Sequence, residues 1–267
     1  MIIGFPTNTV ILIIAVMVAV TAGAWLSLSR GVGQLSIASS VKRNWRWGAA
    51  IVLITWLLIR LALAVNPPGG TVLGTPFVIA FLGFGSLIGI LPLLISLTFR
   101  QIVRAIPPAW LVGIHALRLG GFIFLALMDM RLLPAEFASP AGYGDMTVGL
   151  LALGIVYLLA ARKPYARGLV IGWNLLGLLD FVVALVTGIT YIGPFSARVA
   201  ASGVSLAYLN YVLIIPTFAV PLFTALHVYS LFQVLSGQAD ETKGRIENPA
   251  HGPILSTKQP SVQTDGS

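Results

Sequence analysis

Ionisable and polar side chains interrupt the apolar runs of this chain at few places, and each such place is a candidate for chemistry. Arg60, Arg118 and Asp180 stand inside runs of Val, Ile, Leu and Phe, and Trp173–Asn174 precede Asp180 by one to two helical turns. A charge in hydrocarbon must pair or be neutralised. With a rise of 1.5 Å per residue, Arg118 lies ~12 Å, Asp180 ~18 Å and Arg60 ~20 Å from the basic side of the bilayer. Asp180 is therefore expected to pair with Arg60, which matches it in depth, or with Arg118, whose long side chain can bend toward it. Either pairing leaves one guanidinium over, and a surplus cation in a dry interior attracts an anion. Arg60, Arg118, Asn174 and Asp180 together form the expected binding site, with a small anionic or amphipathic molecule as ligand. The plainer arrangement has Arg60 snorkelling to the headgroups and Arg118–Asp180 as a structural pair.

Two further constellations carry possible chemistry. Gly142–Tyr143–Gly144–Asp145 resembles the GxGD pattern of intramembrane aspartyl proteases, in which two carboxylates share a proton to activate water. Asp129 is the candidate partner of Asp145; the competing role for Asp145 is that of an N-cap for the helix it opens. His115 and His227, at matched depth on two helices, could ligate a b-type haem from opposite sides, or simply hydrogen-bond to neighbouring helices. Zero cysteines exclude disulfides, thiolate metal sites and thiol nucleophiles, and Lys42, Lys163, Lys243 and Lys258 all lie outside the apolar runs, so no helix lysine is available for a Schiff base. The chain has no GxxxxGK[ST] loop, HExxH or GxSxG motif.

The elements that position these residues follow from hydropathy. A mean hydropathy of +0.95 with 9% charged residues lies far outside the range of soluble domains, and a chain of 267 residues has no core large enough to hide so much apolar surface. A membrane-spanning helix needs about 20 mainly apolar residues. Seven runs qualify, at 10–29, 47–65, 76–97, 110–130, 145–161, 168–189 and 206–235, the last kinked by Pro216 and Pro221. The fold class is all-α: a polytopic bundle of seven transmembrane helices over residues 1–235. Small residues within these runs, among them Gly85, Gly89, Gly113, Gly120, Gly172 and Gly177, suit close helix packing.

Charge sets the orientation. Arg30, Lys42, Arg43, Arg46, Arg100, Arg104, Arg162, Lys163, Arg167, Lys243, Arg245 and Lys258 fall on one side of the spans, against Arg131 and Arg198 on the other. Basic loops stay cytoplasmic, so the N-terminus is expected outside and the C-terminus inside. The net charge of +8 thus reports topology, with lipid as the partner and nucleic acid excluded. No basic residue precedes the first run, so it is expected to be retained as a span. Residues 236–267 are polar and turn-rich, and are expected to form a disordered cytoplasmic tail.

Leu133–Pro134, Phe137, Pro140 to Asp145, the run from Trp173–Asn174 to Asp180, and the closing Ile215–Pro216, Pro221–Leu222 and His227 are together similar to an uncharacterised family of bacterial multi-pass membrane proteins. The likeness covers the second half of the chain. It implies a bacterial cytoplasmic-membrane location and no particular activity.

Overall fold

An apolar run in hydrocarbon must satisfy its own backbone N–H and C=O groups, and a helix does so within one segment. The computed structural model describes residues 7–67, 74–163, 165–201 and 206–247, except the side chains of 238–247, and among these residues it contains helices and no strand. Seven helical segments are long and apolar enough to cross a membrane. They are α1 (Thr7–Gln34), α2 (Ser39–Val65), α3 (Thr75–Ile95), α5 (Pro108–Asp129), α6 (Ala135–Ala160), α7 (Ala166–Ala201) and α8, which starts at Leu209. The nine-residue α4 (Leu97–Ala105) joins α3 to α5. The protein is a multi-pass helical membrane protein. Large apolar side chains such as Ile51, Leu58, Leu94, Leu150, Leu175 and Val186 stay exposed on the outside of the bundle, where a bilayer would cover them.

The polar ends between spans are closed locally. Ser96 caps α4 by accepting from the Phe99 N–H at 3.2 Å, and Arg100 donates back to the carbonyls of Leu93 and Leu94 at the end of α3. The helices ending at Asp129 and Ala160 stop on left-handed residues, Arg131 (φ 59°) and Arg162 (φ 50°). The next N–H groups, of Leu132 and Lys163, reach back to Leu127 and Leu158, the hydrogen-bond signature of a helix C-terminus.

Three elements depart from the sequence expectation. The fifth span begins at Ala135, not 145, so Gly142 to Asp145 lie within a helix and Asp145 is no N-cap. Pro134, Pro140, Gly142 and Gly144, around its start, would favour a loop in water. Inside a membrane bundle, packing against neighbours keeps such a segment helical. The sixth span runs to Ala201, with Pro194 inside it. The seventh is built from Leu209–Val212, a π turn at Ile215–Ala219 and Val220–Glu247. Residues 1–234 form one compact unit and 235–267 a second. In the second, helix continues to Glu247, and the rest of the expected tail, 248–267, lies outside the described residues.

Candidate functional site

The middle of α5 is wound as a 3-10 helix over Ile114–Gly121. With three residues per turn, positions three apart stack on one face. His115, Arg118 and Gly121 therefore form a single row, and that row faces α6 and α7. Gly121 lets α6 close in: a Cβ there would come within 2.5 Å of Asp145 Cβ. Gly149, one heptad from Gly142 on α6, lies against the α5 backbone, where a Cβ would meet Leu119 N at 2.8 Å and the His115 carbonyl at 3.2 Å.

Arg118 is the hub. Its side chain is fully buried, and it donates from Nε to Asp145 Oδ1 at 2.7 Å and from Nη2 to Asp180 Oδ2 at 2.5 Å. Its guanidinium carbon lies over Phe181, 4.0 Å from the ring centroid. The third nitrogen, Nη1, approaches Gly177 O at 3.4 Å and His227 Nε2 at 3.0 Å. A guanidinium can only donate, so His227 accepts at Nε2 and carries its proton on Nδ1. That proton goes to Asn174 Oδ1 at 2.8 Å, which fixes the amide so that Asn174 Nδ2 donates to Val170 O and Ser230 Oγ. The chain of polar contacts thus runs from two carboxylates through a guanidinium, an imidazole and an amide to a hydroxyl.

Glycines on α6 and α7 make room for this network. A Cβ on Gly144 would overlap Asp180 Oδ1, and one on Gly177 would overlap the His227 ring. In the Gly-x-Gly-Asp segment, Gly142 admits Leu125 of α5, Gly144 admits the Asp180 carboxylate, and Asp145 takes the arginine. Trp173 closes one side, donating to Val148 O at 3.0 Å with its ring 4.9 Å from those of both histidines.

The charges do not balance. One guanidinium serves two carboxylates, and the same two carboxylates line an apolar cavity of about 280 Å³ between α3 and α5–α8. The cavity wall on α7 extends from Asp180 to Ser196, ~24 Å at 1.5 Å per residue.

Residues 75–235, more than half of the chain, match the profile of a domain of unknown function (DUF8737). The chain belongs to this family. No curated protein and no solved structure matches it. Every member of the network, from His115 and Arg118 to Ser230, falls in the DUF8737 segment, whereas Arg60 precedes it.

Of the residues expected from sequence to form one site, Arg118, Asn174 and Asp180 meet and Arg60 does not. Asp180 pairs with Arg118 rather than with the depth-matched Arg60. Arg60 is 0% exposed and donates from Nε to Thr217 Oγ1 of α8 at 2.6 Å. Asp129 stands exposed at the far end of α5, eight residues past Gly121, which is ~12 Å along the helix from the level of Asp145. The two carboxylates of the expected dyad are thus separate, and the carboxylate beside Asp145 is Asp180, with Arg118 engaging both. The histidines do meet, but in a way that does not fit haem. Their rings touch, with centroids 4.1 Å apart, and both nitrogens of His227 are engaged, leaving no gap for a macrocycle between them. His115 Nδ1 donates to Leu111 O at 2.9 Å, which also turns that nitrogen away from its partner. The sequence signal that could have found Asp145 and Ser230 as members was weak, because nothing in the local pattern announced a 3-10 segment on α5.

Proposed function

We propose that this membrane protein binds, and carries across the bilayer, a small amphipathic molecule whose cationic end sits at Asp145 and Asp180. One observation supports this reading: a single buried guanidinium shared by two carboxylates at the edge of an elongated apolar cavity. If both carboxylates ionise, the cluster holds one uncompensated negative charge, and a low-dielectric interior demands that a proton or a cation neutralise it. An apolar body in the cavity with a cationic group at the carboxylates meets both requirements. The anionic ligand expected from a surplus arginine is disfavoured in this cavity, because Arg118 is already committed to both carboxylates. We also infer a bacterial cytoplasmic-membrane location with the N-terminus outside, supported by the distribution of basic residues.

The test uses the full chain in phosphatidylcholine nanodiscs, with tetraphenylphosphonium as the lipophilic cation and octanoate as the anionic comparison, read by titration calorimetry. Tetraphenylphosphonium should bind wild type and lose at least tenfold in affinity on Asp180→Asn, with octanoate giving no heat that Asp180→Asn alters. Absence of cation binding, or equal binding to Asp180→Asn, overturns the reading.

A further inference from the structure

Arg60 is the second arginine inside the bundle, and its surroundings differ from those of Arg118. Its side chain is buried beneath α3, with the guanidinium carbon 5.0 Å from the Phe81 centroid and 5.7 Å from that of Phe77. The Nε–H has an acceptor in Thr217 Oγ1, and that hydroxyl spends its own proton on Leu213 O, so it faces Arg60 only as an acceptor. Thr217 sits there because the π turn of α8 starts at Ile215–Pro216, where proline has no N–H to give. Nη1 and Nη2 have no hydrogen-bond partner, although both are buried. Among the described residues no carboxylate pairs with Arg60, and the two intramembrane carboxylates are held by Arg118.

A guanidinium cannot escape this position by losing its proton. Two buried nitrogens, bearing four N–H groups in a fixed fork, call for an acceptor of matching shape, and carboxylate and phosphate have that shape. Thr217 holds the fork from behind and the two phenylalanine rings lie over it. Arg60 also lies five residues from the Val65 end of α2, ~7.5 Å along the helix, which makes that end of the bundle the shorter way in for an oxyanion. We propose that Arg60 is the anchor of a second binding site, which takes an oxyanion, phosphate or carboxylate, in two-pronged contact with Nη1 and Nη2. The site is separate from the Asp145–Arg118–Asp180 cluster and does not depend on what that cluster binds.

Thermal unfolding of the full chain tests this in four arms: phosphatidylcholine nanodiscs alone, nanodiscs with added phosphatidylglycerol, and phosphatidylcholine nanodiscs with sodium phosphate or with sodium octanoate. Sodium chloride at matched ionic strength is the reference. At least one oxyanion arm should raise the midpoint by several degrees. A rise confined to phosphatidylglycerol identifies a lipid headgroup, and a rise with phosphate or octanoate identifies a soluble anion. Arg60→Met should abolish the rise, and Arg198→Met, which removes an exposed cation, should keep it. Should Arg60→Met not fold, Arg60→Lys keeps the charge without the fork and should need at least tenfold more anion for the same rise. No rise in any arm, or a rise that survives unchanged in Arg60→Met or Arg60→Lys, overturns the proposal.

Discussion

The two-to-one stoichiometry at Arg118 makes an unusual demand on a double-mutant cycle. Removing one partner of a balanced buried ion pair costs about 3–5 kcal/mol, because a bare charge stays behind. Here Asp180→Asn, or Asp145→Asn, leaves the other carboxylate paired with Arg118 at 2.7 or 2.5 Å. Each single variant leaves one carboxylate to balance the guanidinium and loses part of one hydrogen bond, which costs about 1 kcal/mol. The double variant leaves the Arg118 guanidinium with no counter-charge, so the cost returns to about 3–5 kcal/mol. The double should thus exceed the sum of the singles by roughly 1–3 kcal/mol, a large coupling for neighbouring residues. Arg118→Met, which strands both carboxylates, should be as costly as the double. The assay is reversible unfolding in mixed micelles titrated with sodium dodecyl sulfate, with all variants at one pH. Additive aspartate variants, or a single aspartate variant as damaging as Arg118→Met, would refute a shared guanidinium.

The glycine ladder of α6 gives a paired comparison. Gly149→Ala should destabilise by about 1–3 kcal/mol because its Cβ meets the α5 backbone, whereas Gly154→Ala, with nothing within 4 Å, should gain up to about 1 kcal/mol from helix propensity; thermal unfolding of the two variants separates them. For orientation, Glu136→Cys and Ala161→Cys stand near opposite ends of α6. An impermeant maleimide added to intact cells should label the first and spare the second, and the reverse pattern inverts the topology. For the histidines, haemin titrated into purified protein should give no shifted Soret band, since their touching rings leave no axial site. A new band lost on His227→Ala would contradict the geometry.

Hydropathy alone located all seven spans, because the free energy of burying a run of 20 apolar residues overwhelms local detail. The errors came where local chemistry read correctly for water was applied to a membrane. Pro140, Gly142 and Gly144 favour a loop in water and the apolar run starts only at Asp145, which puts that residue at the membrane edge. With α6 starting at Ala135, it is ten residues in, ~15 Å from the helix start, and level with Arg118. Of the two partners open to Asp180, the structure takes Arg118 and not the depth-matched Arg60, for a different reason. Depth along a helix is legible from sequence, but which helices are neighbours is not, and α2 packs against α1 and α8. The 6 Å offset between Arg118 and Asp180 was within reach of an arginine all along. His115 and Arg118, three apart, carried the one local hint of a shared face.

The π turn at Ile215–Ala219 sets the rotational phase of α8. A π turn carries one residue more than the α turn it replaces, and each residue of a helix corresponds to ~100° of rotation. Within the turn Thr217 faces α2 and Arg60; downstream of it His227 and Ser230 face α5 and α7. Winding the turn back to α, or deleting one residue from it, would swing His227 and Ser230 by ~100° relative to Thr217. The irregular turn thus acts as a gear offset, setting the angle at which one helix meets its two polar centres.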